Sequence, residues 1–430
     1  MTYFALLAAL LAVPPTNPAL TVGDAIRLAW ARHPGLASES FAQEAAEFDS
    51  STARHSLMPS LEVSARATVT NEPLGAFGLK LDEGRLVARD FDPAQLNHPS
   101  AIGGLGLGVV VTQPLYSGGR LTAERRAAVA SAEAGHENYR ALRQEVAAEV
   151  VRAYVGTQIG TLGVTFAEAS LESARSMEKF VRSRVVQHLL LESEALRASS
   201  FRAQRESELS AVQQSRESIR SVLELLIGEP LNGANLSSAI GNLEAISETT
   251  QETPKVRAAS FRAAAAKATA EAARGALLPE IFAQLGAQTL RSSFNQGAVW
   301  ESAMIGARWK LSLGQIDASN AAEARSNAAK SASAWQAQQL SQELGEARRG
   351  LDASQVRIKS SREAIEALEL AKSMTVARHR EGLIPLSEVL DAEIGLSAAH
   401  TQLLRAQLEA RLARASMALY TGQPVEGITQ

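Results

Sequence analysis

The chain has 430 residues, of which 46% are apolar, 5% are aromatic and none is cysteine. The formal net charge is -3, with both signs interspersed along the chain. Nucleic-acid binding is therefore not expected, since it normally needs a basic face. The lack of cysteine excludes disulfide bonds and thiolate metal sites. Few aromatics among many Ala, Ser, Glu, Arg and Leu residues are typical of long helices that pack through small side chains.

Residues 1–20 are predicted to be an export signal. An apolar run from Tyr3 to Val13 is too short to span a bilayer, but it suits the apolar part of such a signal. No Lys or Arg precedes the run, which leaves open a buried N-terminal helix or a misassigned start. No other stretch approaches 18 continuous apolar residues, so no transmembrane helix is expected.

The sequence contains an internal repeat. Leu57–Leu61 reads LMPSL and recurs as LLPEI at Leu277–Ile281. Residues 187–230 align without gaps on residues 381–424, at an offset of 194, with eleven identities in 44 positions. Because the matching blocks keep their order, we predict a tandem duplication. Its parts are a first repeat at 21–230, an equatorial linker at 231–254, a second repeat at 255–424 and a tail at 425–430.

Each repeat is predicted to open with a helix and to continue with two β-strands. The apolar and polar residues alternate in four stretches, at Leu61–Thr70, Leu105–Val111, Ile281–Gln288 and Met304–Leu313, giving hairpins at 57–113 and 277–313. Strands of about ten residues with one apolar face suit a membrane, although hairpins on a soluble sheet alternate in the same way. Four strands cannot close a barrel, and an open edge in lipid leaves backbone groups unpaired. If these strands enter a membrane, several chains must share one barrel.

Long helices are predicted after each pair of strands. Arg120 to Gln187 and Asp317 to Ile384 contain no proline, so each stretch can be helical over about 100 Å at 1.5 Å per residue. A returning helix of about 35 residues follows each one and ends at a Gly-then-Pro stop. The predicted helical hairpins are 120–228 and 317–421, with turns at His188–Glu192 and Arg380–Pro385. Between the first strands and helices, Pro114, Gly118 and Gly119 are predicted to form the strand-to-helix junction.

Four motifs, in this order, resemble the TolC-like outer-membrane efflux proteins of Gram-negative bacteria. They are the opening helix Leu20–Pro34, the strand start Leu57–Leu61, the junction Gln113–Gly119 and the turn Glu381–Ala392. The resemblance covers nearly everything from Leu20 to Pro424. It implies a mixed, mainly α fold, in which a homotrimer builds one 12-stranded transmembrane β-barrel from four strands per chain. A long α-helical coiled-coil barrel is expected to continue it across the periplasm.

The resemblance also implies a function. Such a channel-tunnel passively exports small molecules or polypeptides, as the exit duct of a tripartite efflux or type I secretion system. Its expected partners are a periplasmic adaptor, an inner-membrane transporter and outer-membrane lipid. The sequence has no motif for catalysis, for a metal or for a cofactor, and neither enzymatic activity nor a cofactor is expected. The alternative that stays open is a periplasmic coiled-coil adaptor or structural linker without a pore.

By motif position, Glu388 and Asp391, with Glu194 as their first-repeat partner, are predicted to line the periplasmic entrance gate. An ordinary acidic helix start would look the same. Residues of the two turns are predicted to contact the partner proteins: His188, Leu189, Leu190, Gly382, Leu383 and Ile384. His379 and Ile384 replace the tyrosine and arginine that commonly tie the closed gate in the family, which puts the usual latch in doubt. The segment between residues 71 and 101 is expected to be a long extracellular loop or a plain surface excursion.

Overall fold

The structure, a computed structural model, describes residues 19–231, 236, 252–293 and 296–421. Three predicted features lie wholly or largely outside these residues: the export signal at 1–20, the linker at 231–254 and the tail at 425–430. The second Gly-then-Pro stop, at Gly422 and Pro424, also lies outside them.

Within the described residues the chain is mainly α-helical, with one antiparallel sheet of four strands. The helices are α1 (Val22–Arg32), α2 (Pro34–His55), α3 (Pro73–Asp82), α4 (Pro93–Asn97), α5 (Arg120–Val186), α6 (Glu192–Ile227), α7 (Pro254–Gly275), α8 (Leu313–Arg380) and α9 (Leu386–Tyr420). The strands are β1 (Ser60–Thr70), β2 (Ile102–Tyr116), β3 (Glu280–Ser293) and β4 (Gln296–Arg308). No helix in the described part of the chain is both long and apolar enough to cross a membrane.

The described residues form two compact units, and each unit combines segments of both predicted repeats. The first is drawn from Met1–Phe41, Glu137–Arg257 and Trp335–Gln430, and the second from Ala42–His136 and Ala258–Ala334, counting only their described residues. The repeats therefore do not coincide with the compact units, and the duplication stays a prediction.

The two very long helices are confirmed. Helix α5 has 67 residues and α8 has 68, and the returning helices α6 and α9 have 36 and 35. Helix α6 ends as predicted, at Gly228, whose φ of 75° closes the last turn in the left-handed region that glycine adopts without steric cost. The proline-free stretches thus contain helices far longer than compact domains require.

The main core of the first unit holds α1 against α5 and α6. Ile26, Val150, Leu223 and Ile227 are fully buried, and Tyr154 is buried beside them with its hydroxyl donating to the carbonyl of Leu20 at 2.7 Å. Burying each of these side chains stabilises the unit by roughly 1.5–3 kcal/mol. The returning helix is thus anchored at its C-terminal end, while its other end leads to the turn.

The second unit contains the sheet, in which the strands lie in the order β1-β2-β3-β4. The central pairing is between the two predicted hairpins, with Val109 opposite Val63 on one side and Ala287 on the other. β1 and β4 are the edge strands. The four predicted strands are present, but three of them differ clearly from the predicted stretches. β2 is longer at both ends, β3 continues to Ser293, and β4 begins at Gln296 rather than at Met304.

The last strand does not run from Met304 to Leu313, as predicted; it ends at Arg308. Arg308 pairs with Glu280, and the next position of β3 would be Pro279, which has no N–H to donate to the ladder. The Trp309 indole N–H instead donates to the carbonyl of Leu277 at 3.0 Å. Helix α8 then begins at Leu313, four residues before the predicted Asp317.

The segment 71–101 is not an irregular loop. It contains α3, a 3₁₀ turn at Ala88–Phe91 and α4. The buried carboxylate of Asp90 accepts from the Lys80 Nζ at 3.0 Å and from the Val87 backbone N–H at 2.9 Å. The hydrogen bond from Val87 is the larger cause and the one from Lys80 the smaller, and together they lower the pKa of Asp90 below its usual value. The insertion is thus an ordered cap that connects β1 to β2.

Candidate functional site: helix tips and strand-to-helix junction

The turn between α5 and α6 is a compact helix stop. His188 takes a φ of 60°, and its N–H donates to the carbonyl of Val185 at 2.9 Å. The N–H of Leu189 donates to the carbonyl of Arg184, also at 2.9 Å. This pair of bonds is the Schellman arrangement, in which a left-handed residue reverses the chain and satisfies the last helical carbonyls.

The turn between α8 and α9 has the same geometry, 194 residues later. Gly382 has a φ of 77° and donates to the carbonyl of His379 at 2.9 Å, and Leu383 donates to that of Arg378 at 3.0 Å. We call these two turns the helix tips, defined as residues 187–191 and 381–385. The first tip uses a histidine where the second uses glycine, so the first stores backbone strain of roughly 1 kcal/mol.

His188→Gly is therefore expected to stabilise the first tip by roughly 0.5 to 1 kcal/mol. Slower amide hydrogen exchange at residues 188–190 would report this change. The reciprocal variant, Gly382→His, provides the matched control and should speed exchange at the second tip. Faster exchange in His188→Gly would show that the imidazole holds the turn through contacts that outweigh the strain.

Both tips expose leucine side chains. Leu189, Leu191 and Leu383 are 59%, 74% and 68% exposed. Leu190 is half-buried and packs against a small core that contains Val181, Ala195, Ala198 and Leu386. Each tip therefore has a rigid apolar base and an exposed apolar rim, an arrangement suited to contact with another protein.

The three acidic residues predicted for the gate lie near the tips. Glu388 is exposed in the first turn of α9, and Asp391 is exposed one turn later. Glu194, in the first turn of α6, is half-buried, and its Oε2 atom has no hydrogen-bond partner in the described part of the chain. Glu388 and Asp391 are three residues apart on α9, so they lie on one face of that helix. The role of the three acids as a gate stays a prediction.

His379, at the end of α8, is buried against the second tip and does not lie at the surface. It is buried, its Nδ1 is 3.0 Å from the carbonyl oxygen of Ile384, and its ring meets Phe180 edge-on at 6.2 Å. The two residues that replace the usual latch of the family thus contact each other. They stabilise the turn of their own hairpin.

A buried polar network above the tips was not predicted from the sequence. Glu393 of α9 accepts from the hydroxyl of Ser173 at 2.6 Å and from the Nζ of Lys372 at 2.8 Å. Arg205 of α6, also buried, donates to the hydroxyl of Ser397 at 3.3 Å. These contacts join both hairpins, across 220 and 192 residues of sequence. Glu393 is buried, so removing one of its partners would leave its charge less well compensated and would destabilise the packing of the helices.

His400 lies beside this network and stacks on Phe166, with ring centroids 4.4 Å apart. Burial lowers the pKa of His400, Glu369 raises it and Lys372 lowers it again. Because the folded pKa lies below the unfolded value of about 6.5, stability is complete above that pH and is lost as the pH falls through it. Arg205, Glu208 and Arg405 are the other charged groups that line the same cavity.

Lowering the pH from 7.5 to 5.5 is therefore expected to destabilise the protein in part through His400. The His400→Phe variant, which keeps an aromatic ring against Phe166, should lose less in Tm than the native chain over this interval. Thermal unfolding followed by circular dichroism measures the difference. Equal losses in the two proteins would show that His400 charges without a penalty in the folded state.

The strand-to-helix junction lies in the second unit. Gly118 and Gly119 both take left-handed conformations, with φ of 63° and 79°. The hydroxyl of Ser117 accepts from the N–H of Leu121 at 3.3 Å, and its carbonyl accepts from the N–H of Arg120 at 3.0 Å, so Ser117 starts α5. The two glycines thus reverse the chain between the strand and the helix, as predicted.

Pro114 does not belong to the break. It lies within β2, opposite Phe282, and the register shifts between it and Tyr116. β1 begins at Ser60, whose partner is Thr112, so β2 has no β1 neighbour at Pro114 and the missing N–H costs no ladder bond on that side. The predicted junction 114–119 is therefore shorter, at 117–119.

The fold is that of outer membrane channel proteins. A membrane protein from Pseudomonas aeruginosa aligns with a TM-score of 0.83 at 19% identity, over 94% of this chain and 90% of that one. The outer membrane protein VceC from Vibrio cholerae aligns at 0.82 and 19%, over 94% and 96%. The CmeC outer membrane channel of Campylobacter jejuni aligns at 0.82 and 14%, over 93% and 85%. At these identities the likeness shows the fold alone.

The sequence profile of the outer membrane efflux protein family matches residues 25–229 and 245–423. The chain belongs to this family. No curated protein sequence matches it. The resemblance to TolC-like proteins is thereby confirmed, together with the predicted localisation in the Gram-negative outer membrane with a periplasmic helical part. The chain is an outer-membrane efflux channel protein.

Proposed function

We propose that three copies of this chain form a passive exit duct for a tripartite efflux or type I secretion system. The observation that carries this proposal is the pair of open edges of the sheet. β1 has 11 residues and β4 has 13, and neither has a further strand neighbour among the described residues. Unpaired backbone groups cost several kcal/mol each in lipid, so a membrane-inserted sheet needs neighbours at both edges. Three chains with four strands each would close one 12-stranded barrel.

The apolar face of β1 supports insertion in lipid. Leu61, Val63 and Val69 are 65%, 71% and 78% exposed, and they alternate with polar residues on the other face. Such a row of exposed apolar side chains is costly in water and favourable in hydrocarbon. The polar face of the same strand would then line the lumen of the barrel.

The helix tips are the proposed contact with a periplasmic adaptor and, through it, with an inner-membrane transporter. The exposed Leu189, Leu191 and Leu383 give each tip an apolar rim. Cargo would pass through the duct without chemical change, since the energy for export comes from the transporter.

Two measurements on the purified full chain test the duct. Native mass spectrometry is expected to give the mass of a trimer, and planar bilayers are expected to show discrete conductance steps. A soluble monomer without conductance would contradict the proposal and would favour the alternative of a periplasmic coiled-coil adaptor without a pore. A trimer without conductance would instead point to a structural linker.

For the gate, we propose that Glu388 and Asp391 of three chains face one another at the periplasmic entrance. Clustered carboxylates attract cations, so the double variant Glu388→Gln with Asp391→Asn should lose cation preference and be blocked less by multivalent cations. Reversal potentials in a salt gradient measure the preference. The matched control is Glu381→Gln, an exposed acid of the same tip that is absent from the predicted gate. Equal selectivity of the double variant and the native chain would place these acids away from the constriction.

A further inference from the structure

A cavity of 320 Å³ lies among the four long helices of the first unit. Its apolar wall includes Ile159, Phe166, Val212, Leu396, Leu404 and Leu408. This volume is at the lower end of the range for pockets that hold small organic molecules, which are typically apolar with a few directed polar groups. The cavity is distinct from the proposed gate and from the tips.

The charged groups of the cavity leave one positive charge in excess. Three cations line it, Arg205, Lys372 and Arg405, against two acids, Glu208 and Glu393. Lys372 is paired with Glu393 at 2.8 Å, and Arg205 with Glu208 at 2.8 Å. No acid in the described part of the chain lies within ion-pair distance of Arg405. The cavity therefore favours a monovalent anion over a cation.

Two polar groups of the cavity have hydrogen-bonding atoms that the chain itself does not use. Arg205 is 4% exposed, and its buried Nε has no acceptor among the described residues. His400 likewise has a buried Nδ1 without a partner, while its ring is held against Phe166. A buried donor without an acceptor costs roughly 1–3 kcal/mol, which a bound acceptor would recover.

We propose that this cavity binds a small organic carboxylate with an aromatic or branched apolar body. The body would lie against Phe166 and the leucine side chains, and the carboxylate would accept from Arg205 Nε and His400 Nδ1 with Arg405 nearby. A carboxylate fits better than a phosphate because the excess charge is one and the wall is largely apolar. The proposal concerns the wall of the helical part and does not depend on export through the duct.

Binding can be tested with 4-(trifluoromethyl)benzoate and its neutral counterpart 4-(trifluoromethyl)benzamide, on the full chain in lipid nanodiscs. Ligand-observed ¹⁹F NMR should show saturable binding of the benzoate, with an affinity about tenfold above that of the amide, equivalent to about 1.4 kcal/mol. Arg405→Gln is expected to weaken benzoate binding about fivefold and to leave the amide unchanged. Because Arg405 is exposed, this variant should fold even if Arg205→Gln does not.

Arg202→Gln is the matched control, because Arg202 lies on α6 but pairs with Glu178 and Glu206 and does not line the cavity. It should bind both probes as the native chain does. Equal affinity for benzoate and amide, or equal loss in the Arg405 and Arg202 variants, would overturn the proposal and leave a cavity that only reflects helix packing. Because channel formation is measured separately by conductance, failure of this proposal and failure of the duct are distinguishable.

Discussion

Val63→Arg is expected to prevent stable assembly of the protein in the outer membrane. Val63 lies within β1, opposite Val109, and its side chain is 71% exposed. If this face contacts lipid, an arginine near the midplane costs about 2–4 kcal/mol per chain. Three chains in one barrel would then lose roughly 6–12 kcal/mol, which is comparable to the whole stability of many folded domains.

Ser64→Arg provides the matched control, because Ser64 is the next residue of the same strand and lies on the opposite face. Ser64 is exposed, so a longer side chain can extend away from the sheet. The same arginine should therefore be tolerated in a water-filled lumen. The amount of each variant recovered in outer-membrane fractions measures its assembly. Normal assembly of Val63→Arg, or equal failure of both, would contradict lipid exposure of the Val63 face.

The sheet and the long helices could be predicted because their signals are local. Strict alternation identified β1, and a proline-free stretch rich in Ala, Glu and Arg between Arg120 and Gln187 indicated α5. The end of β4 could not be read from alternation, which continues to Leu313. β4 ends at Arg308 because the next partner position is Pro279, which directly precedes β3 and lies about thirty residues earlier in the chain. Strand ends depend on the partner strand, and a single strand pattern does not contain that information.

The insertion between β1 and β2 shows a second limit of prediction from sequence. Its helices are short, with 10 and 5 residues, so they hardly develop a periodic pattern. The contact that organises it, between Lys80 and the buried Asp90, joins two residues that look like ordinary surface charges in the sequence. Isolated short helices are marginal in water, so tertiary contacts of this kind decide whether they form.

Dependence on tertiary contacts also explains why the buried polar network near the helix tips was not predicted. The turns were predicted at His188–Glu192 and at Arg380–Pro385, and these ranges contain the left-handed residues His188 and Gly382. The network of Ser173, Lys372 and Glu393 joins three helices over long sequence separations, and each of its residues has an ordinary helical neighbourhood. A buried acid on a helix is recognisable when its partners are known, and those partners are fixed by packing rather than by spacing.

Gly118→Ala is expected to be the most disruptive single-methyl change at the strand-to-helix junction. A Cβ at Gly118 would lie 2.4 Å from the carbonyl oxygen of Gly275 and 2.6 Å from the Cβ of Leu278. Both atoms belong to or directly join the backbone of the segment that leads from α7 into β3, so neither can rotate away. Overpacking of about 1–3 kcal/mol adds to a left-handed cost of about 1–2 kcal/mol.

Gly119→Ala separates these two contributions. Gly119 has a similar φ of 79°, but among the described residues no atom beyond its chain neighbours lies within 4 Å of its added Cβ, so this variant should lose only the left-handed cost. The difference between the two variants, roughly 1–3 kcal/mol per chain, is the contribution of close packing between the β2–α5 connection and the α7–β3 connection. Thermal unfolding of the purified protein, followed by circular dichroism, measures it. If both alanines lower the unfolding temperature equally, the two connections do not pack closely against each other in the folded protein.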